Sequence, residues 1–343
     1  MKGFIKISKY AGMREDLVQG GGGNSSCKIS DRKMAIKASG FQLADLTEKE
    51  GYALVDPQVI KSAFSGVGNF EDLSEEQGRL LLQKAQIEGP KPSIETFLHA
   101  VSGKYTLHTH PIVVNALTCR KGGMEVLGAL FPQALLVPYA TPGVELAKAY
   151  FRAYRKKNDK ILIPEIVFLQ NHGLVVSADS ADAVIGKNEN VLTKIEQYLN
   201  IDFGHYHAVT EIWKLFEDKI VWLVTDKNVM DFYRKSYRMW EHTFCPDCIV
   251  FLGKKCLRLP KVPIKEDVNE FCASYGCPVM VSYGENLYIV ADSVKKALEI
   301  QSVMSFSAQV MQINQGCECI LLTEEEQNFL LNWEAEKYRK AMN

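Results

Sequence analysis

The chain has 343 residues, long enough for two domains and a sizeable core. Hydrophobic residues make up 47% and charged residues 24%, the balance of a globular protein rather than a disordered one. Lys+Arg is 40 against Asp+Glu 41, so no basic excess exists to recruit nucleic acid or an anionic membrane. The first residues, MKGFIKISKYAG, lack the apolar stretch and cleavage pattern of a signal peptide. No apolar run reaches the roughly 18 residues that suggest a membrane span. Nine cysteines, an odd number scattered along the chain, suit reduced thiols in a cytoplasmic protein.

Residues 1–19 read as a short lead-in, helical from Tyr10. Gly20-Gly21-Gly22-Gly23-Asn24 ends that helix and lets backbone N–H groups approach a ligand. Lys28-Ile29-Ser30 and Met34-Ala35-Ile36-Lys37 alternate around Asp31-Arg32-Lys33, a hairpin pattern. Tyr52 to Asp56 is a strand and Asp72 to Lys84 a helix, which Pro90 and Pro92 terminate. A helix follows from Ser93, its expected N-cap, to Val101. Lys104 to His110 is a strand that Pro111 stops, and Ile112 to Cys119 is helical. Leu135 to Tyr139 is a strand and Gly143 to Lys156 an amphipathic helix. Ile161 to Pro164, Ile166 to Gln170 and Leu174 to Ser177 are strand material, and Ala181 to Leu199 is a long helix. Strands alternating with helices imply an α/β layered domain over 1–204.

The pattern changes over 205–343, read as a smaller α+β region. Helical, aromatic-rich segments run to about Trp240. Ile249 to Gly253 is a strand, and Val279 to Tyr283 with Leu287 to Val290 makes a hairpin across Gly284-Glu285-Asn286. Ser293 to Val310 is a helix. Another starts after Thr323, a Thr N-cap followed by three glutamates.

On a strand, His108 and His110 point to one face because side chains alternate. Two imidazoles on one face can bind one metal ion, yet two ligands do not close a site. His172, in Asn171-His172-Gly173 after an apolar strand, is the candidate third nitrogen. Glu95, in the first turn of the helix after Pro92-Ser93, is the candidate carboxylate, kept ionised by the helix dipole. His99, four residues on, is a packing residue behind the site. Cys245-Pro246-Asp247-Cys248 has metal-like spacing, and Cys317-Glu318-Cys319 can add two sulfurs. The second pair lacks the two-residue gap of a zinc ribbon.

Six motifs occur in one order: Gly22-Gly23-Asn24-Ser25, Lys37-Ala38-Ser39-Gly40, Pro92-Ser93-Ile94-Glu95, His108-Thr109-His110-Pro111, Tyr139-Ala140-Thr141-Pro142-Gly143 and Asn171-His172-Gly173-Leu174. Over residues 10–200 they resemble the class II aldolase/adducin family. Its members include the fuculose- and rhamnulose-phosphate aldolases. The wording around Glu95, and the chain beyond 200, most resemble the aldolase part of bifunctional rhamnulose-phosphate aldolase/alcohol dehydrogenases. No Gly-x-Gly-x-x-Gly follows here, so no dehydrogenase module is expected.

The resemblance implies a class II aldolase-like α/β/α domain with a central mixed sheet. It implies His108, His110 and His172 as ligands of Zn2+ or another divalent metal, with Glu95 as acid/base. It places Gly23, Asn24, Ser39, Gly40 and Ser93 around the phosphate of a small sugar phosphate. Family aldolases often have two serines before the glutamate; Ser93-Ile94 here supplies one hydroxyl fewer. The implied reaction makes or breaks a C–C bond in a ketose phosphate through a metal-stabilised enediolate. The same site chemistry serves 4-epimerisation, decarboxylation or dehydration. Relatives that epimerise tend to carry Asp at the position of Glu95. An adducin-like interaction module is the non-catalytic alternative, which the complete histidine set disfavours. Relatives are often tetramers, so a homo-oligomer is expected.

Overall fold

A computed structural model of the chain describes residues 1–65, 70–157, 163–216, 218–236 and 239–341. It separates into two units, Met1–Phe203 and Gly204–Asn343. The first contains α1 (Lys2–Gly12), β1 (Asn24–Ser30), β2 (Lys33–Lys37), β3 (Tyr52–Val55), α2 (Pro57–Ser65), α3 (Glu75–Ala85), β4 (Gln86–Glu88) and α4 (Thr96–Val101). It continues with β5 (Tyr105–Thr109), α5 (Ile112–Thr118), α6 (Gly123–Leu130), β6 (Leu135–Val137), α7 (Val144–Lys157), β7 (Ile166–Leu169), β8 (Gly173–Ala178) and α8 (Ala181–Leu199).

The eight strands form one sheet in the order β4-β3-β2-β1-β5-β8-β7-β6. Its neighbours are antiparallel except for the parallel β6–β7 pair, so the sheet is mixed. Alternation along β2 sets the layers. Met34 and Ile36 enter a core with Val55, Ile60, Phe97 and Val144, from β3, α2, α4 and α7. Ala35 faces the other way, onto Phe4 of α1, Cys27 and Leu46. A strand buried on both faces needs a helical cover on each, and the result is α/β/α layering. Phe64 and Phe151 stack at 4.5 Å within the first core, and α8 packs beside α1 and along β8.

Local chemistry explains several ends. Ser74 accepts from the Gln77 amide and the Gln77 side chain returns a bond to the Ser74 amide, a capping box that starts α3. Ser180 accepts from the Ala183 amide at 3.2 Å at the start of α8. Asn200, at φ 53°, closes that helix in the left-handed region.

The second unit contains α9 (Gly204–Trp213), β9 (Ile220–Leu223), α10 (Lys227–Ser236), α11 (Pro246–Leu252), β10 (Cys256–Arg258) and α12 (Lys265–Tyr275). Then come β11 (Met280–Tyr283), β12 (Asn286–Ala291), α13 (Val294–Ile313) and α14 (Glu324–Ala341). Its sheet runs β10-β11-β12-β9, with β10–β11 parallel and the rest antiparallel. Tyr283 pairs with Asn286 across Gly284, whose φ of 57° suits a two-residue hairpin turn. No described helix is long and apolar enough to cross a membrane.

Several expectations are corrected. The first helix starts at Lys2, not Tyr10. Ile249 to Gly253, expected as a strand, lies within and just after helix α11: Pro246 occupies its first turn, and Cys248, Ile249 and Leu252 are buried at helical spacing. Ile220–Leu223, inside the stretch read as helical, is the strand β9. Ser93 does not cap its helix; α4 starts at Thr96 with Glu95 in the cap position. Residues Ile161 and Leu162, expected in a strand, lie outside the described residues.

Candidate metal centre

β5 lies between β1 and β8, in the middle of the sheet. His108 pairs with Asn24 on one side and Val175 on the other, and is fully buried. His110 follows one residue past the strand, before Pro111. The two Nε2 atoms approach within 3.1 Å. His172 arrives from the turn between β7 and β8, where Leu169 pairs with Gly173. Asn171 takes φ 51° there, and the His172 amide donates to Leu169 O at 3.1 Å. The His108–His172 and His110–His172 ring centres lie 4.9 and 5.1 Å apart. One nitrogen from each of the three rings lies within 4.8 Å of the others.

Glycines make this closeness possible. A Cβ on Gly173 would stand 2.2 Å from Thr109 O and 3.1 Å from His110 Cδ2. One on Gly22 would stand 2.9 Å from His110 Nδ1, and one on Gly23 would stand 3.0 Å from His108 O. The glycine run therefore lies directly against the histidines.

Glu95 Oε1 is 3.3 Å from His108 Nε2 and 3.1 Å from His172 Nε2. Its Oε2 accepts a hydrogen bond from the Asn24 side-chain amide. Burial pushes the Glu95 carboxyl upward, but His108 and His172 together outweigh burial and hold it well below the usual carboxylate range. Burial likewise opposes protonation of His108, yet Glu95 and the Leu174 carbonyl raise it. His110 is pushed down to about 3, first by burial and then by His108 and His172.

These residues fit a divalent ion. A carbonyl only accepts, so His108 Nδ1 donates to Leu174 O, at 3.0 Å. When the ring is neutral, with its proton on Nδ1, the Nε2 lone pair is directed at its partners, the arrangement that orients metal-bound imidazoles. Two bare nitrogens 3.1 Å apart repel unless a proton or a cation lies between them. Three neutral imidazoles match the donor preferences of zinc and leave a further coordination position open.

Asn24 lies at the site, with its side chain on Glu95. The Ser39 amide donates to Lys91 O at 2.9 Å and Ala38 bridges to Pro92, which brings the Ser39-Gly40 and Ser93 segments together. Ser39 and Ser93 line a cavity of about 740 Å³ with Arg79 and Lys91; neither Glu95 nor the histidines line it. Gly40, at φ 86°, faces open space. Ser93 Oγ also accepts from the Glu95 amide at 3.2 Å, tying it to the carboxylate's backbone. Tyr139 is exposed and lines a different cavity with Arg152 and Lys156.

Sequence reasoning missed Lys37. It ends β2, is buried, and directs Nζ toward Gly21 O at 3.4 Å. Burial lowers its pKa, while the Glu95 charge opposes that shift. The available signal was alternation: Lys37 shares a strand face with buried Ala35. His99 is buried behind the site, with Nδ1 2.7 Å from Ser26 Oγ, and burial followed by the His108 charge pushes it down to about 3. Cys245 and Cys248 bring their sulfurs to 3.4 Å. Among the described residues the histidine trio is the group with metal-holding geometry, and Cys317 and Cys319 complete no second one.

Residues 3–199 match the family described as "Class II Aldolase and Adducin N-terminal domain", and the chain belongs to that family. Among curated proteins it is similar to "Uncharacterized oxidoreductase YuxG" of Bacillus subtilis (strain 168), at 26% identity over 211 residues. That match covers 57% of this chain and 29% of the relative, so the chain spans under a third of that protein. Among solved structures it is similar to the N-terminal Class II Aldolase domain of a conserved protein from Thermoplasma acidophilum. The identity is 23%, the TM-score 0.49, and the match covers 57% of this chain and 92% of that one. It is also similar to the L-fuculose-1-phosphate aldolase of Thermus thermophilus, at 16% identity and TM-score 0.36, covering 62% and 95% of the two chains.

Proposed function

We propose that the N-terminal unit is a metal-dependent lyase that cleaves or forms a C–C bond in a small ketose phosphate. His108, His110 and His172 would hold one divalent ion, zinc by their donor set, and Glu95 is the acid/base. The observation that carries this reading is the meeting of three imidazole nitrogens with one buried, ionised carboxylate. Bound by neutral imidazoles only, the ion keeps its full double charge and supplies Lewis-acid stabilisation to a substrate oxygen.

Glu95 supplies the proton transfer. Its Oε2 is oriented by Asn24 while Oε1 faces the histidines. When the C–C bond breaks, the hydroxyl of the aldehyde half gives up its proton as its carbonyl forms and the bond's electron pair passes to the ketone half. Glu95, ionised at rest, takes up that proton and returns it to the ketone-half carbon. In the condensation direction the ionised carboxylate removes the same proton. Burial of His108 and Glu95 keeps bulk water from competing for it.

Gly40, Ser39 and Ser93 are proposed to hold the substrate phosphate, and the buried Lys37 amine, whose pKa burial lowers and the Glu95 charge raises, would add to the site's electrostatics. Family membership supports a homo-oligomer, which light scattering tests. The test of the reaction is metal analysis of purified protein, then incubation with ketose phosphates while assaying dihydroxyacetone phosphate. Zinc-restorable release that His108→Ala abolishes supports the reading. Isomerised product without cleavage selects an epimerase instead, and absence of any divalent ion in an active protein rules the metal mechanism out.

A further inference from the structure

Among the described residues, Arg14 is the largest fully buried side chain. Its Nε donates to Asp16 Oδ1 and its Nη2 to Asp16 Oδ2, both at 2.6 Å, a two-pronged pair. Its Nη1 reaches Glu189 Oε1 of α8 at 2.8 Å. Tyr10 of α1 donates its hydroxyl to the same oxygen at 2.7 Å, and Asn188 donates to Tyr10 at 2.9 Å. The network joins α1, the segment after it and α8 in a buried environment. None of these side chains touches Glu95 or the histidines in the contacts described above.

The main chain of that segment does. The His110 amide donates to Leu17 O at 2.8 Å, and the Ile112 amide to Asp16 O at 2.9 Å. Pro111, between them, has no N–H to offer. The backbone around His110 is therefore suspended from residues 16 and 17, on both sides of the proline. The Leu17 amide in turn donates to Arg14 O at 2.9 Å, and the Val18 amide to the same oxygen at 3.2 Å. Downstream, the Gly22 amide donates to Gln19 O at 3.0 Å, which seats Gly22 against the His110 ring. His110 lies past the end of β5, outside the ladder that holds His108. It needs another anchor, and the 14–22 segment is the one the structure provides.

We infer that Arg14, acting through Asp16, is a positioning residue that sets where the His110 imidazole stands. Two buried partners lock the turn, the turn carries two carbonyl acceptors, and those acceptors place the backbone on either side of Pro111. Metal centres tolerate displacements of only about 0.2 Å in ligand distance, so a loosened His110 weakens binding without touching the ligands themselves.

Arg14→Met alone strands the buried Asp16 carboxylate, which by itself favours unfolding. The informative variant is the pair Arg14→Met with Asp16→Leu, which removes both charges; Glu189 keeps its bond from Tyr10. Two readouts apply to the full chain. The first, hydrogen exchange at single amides in metal-free protein, is independent of any metal. The His110 and Ile112 amides should exchange at least tenfold faster than in the unsubstituted protein, while Leu107 within β5 changes little. The second is zinc affinity by chelator competition, expected to fall roughly 10–100-fold, as it does when outer partners of a metal site are lost. Arg14→Lys keeps the charge but not the fork and should fall between. Unchanged exchange at both amides overturns the inference, as does equal acceleration throughout β5, which marks general destabilisation. Faster exchange with unaltered zinc affinity also overturns it. The affinity readout rests on the metal reading proposed above; if unsubstituted protein binds no divalent ion, that reading fails and amide exchange alone decides the role of Arg14.

Discussion

Replacing Gly173 by alanine adds one methyl group at the tightest point of the site. Its Cβ would stand 2.2 Å from Thr109 O, where ordinary contact begins near 3.4 Å. The two strands must therefore separate by about 1.2 Å locally, the difference of those distances. The obstacle is backbone in the middle of a sheet, so no side-chain rotation relieves it. Gly173 also pairs with Leu169 and is adjacent to His172, so the turn must move as a unit. Overpacking of this kind costs about 1–3 kcal/mol of stability. On the proposed metal reading, the larger effect falls on ion binding. A shift near 1 Å exceeds the roughly 0.2 Å tolerance of a ligand distance several-fold. It moves His172 away from His108 and His110, in a trio whose ring centres stand 4.9–5.1 Å apart. Zinc affinity should fall about 100-fold, at the upper end of what losing an outer partner costs. Chelator competition measures it, with thermal melting of the metal-free protein as the parallel reading. Gly186→Ala, on helix α8 with open space around its Cβ, is the control. A Gly173→Ala protein that binds zinc as tightly as the original would refute the view that strand closeness sets this site.

Glu95→Gln should lower kcat by about 10²–10⁴-fold while metal content stays near that of the original, because proton transfer is lost and the histidines remain; kcat and zinc content measured together check it. Asn24→Leu should lower kcat with a smaller effect on KM, since Oε2 of Glu95 loses its orienting donor. The stability of metal-free protein should start to fall near pH 6.5 on acidification. His99 and His110 bind protons near 6.5 when unfolded but only at about 3 when folded, so the unfolded state takes up more protons across that window. Each adds a slope of up to about 1.4 kcal/mol per pH unit. The raised His108 group contributes fully below 6.5, so it adds no slope there. The lowered Glu95 group contributes above about 4.5 and is lost below it, steepening the acid side. Urea midpoints from pH 7 to 4 test this, and His110→Gln should make the curve shallower. Phe97→Ala, in the core between sheet and helices, should cost about 3–5 kcal/mol, read by denaturant unfolding.

Much of the α/β unit was legible because its signals are local. Helix α8 begins after a Ser N-cap and ends where Asn200 turns left-handed, and both ends are visible in the string. The β1–β2 hairpin announces itself by alternation around Asp31-Arg32-Lys33. The family resemblance rested on six short motifs in fixed order, and the match over 3–199 bears it out. Errors arose where one local pattern serves two structures. Ile249-Val250-Phe251-Leu252 is four apolar residues in a row, which fits a buried strand as well as a helix. The Pro246-Asp247 pair just before it was the cue for a helix start. Val221-Trp222-Leu223 reads as a helix segment beside aromatic neighbours, and its pairing with β12 is visible only once the sheet forms. Contacts that depend on register were invisible. Asn24 meets Glu95 because it pairs opposite His108, and Arg14 meets Glu189 across 175 positions.

The distribution of the site over the fold separates what is rigid from what can vary. His108 is held by ladders on both sides and by its bond to Leu174 O, so its place is set by the sheet itself. His172 depends on one tight turn that glycine alone permits. His110 depends on a buried network reached through the main chain. Three independent supports thus converge on one point, the arrangement needed to place ligands within tenths of an ångström. The groups proposed for the substrate are arranged differently. Ser39, Gly40 and Ser93 lie on connections between elements, joined by single backbone bonds such as Ser39 to Lys91. Connections tolerate substitution far better than central strands do. On the proposed reading, a fold built this way can keep a metal-binding trio and its carboxylate while its loops are refitted to a different substrate. Ser93-Ile94 is where such refitting should be sought first: Ile94, exposed beside Ser93 and one residue before Glu95, presents an apolar side chain next to the proposed phosphate groups. Ile94→Ser should therefore lower KM for a phosphorylated ketose and leave KM for the unphosphorylated sugar unchanged. Steady-state kinetics on the matched pair measures it, and an equal effect on both would remove Ile94 from any role in phosphate recognition.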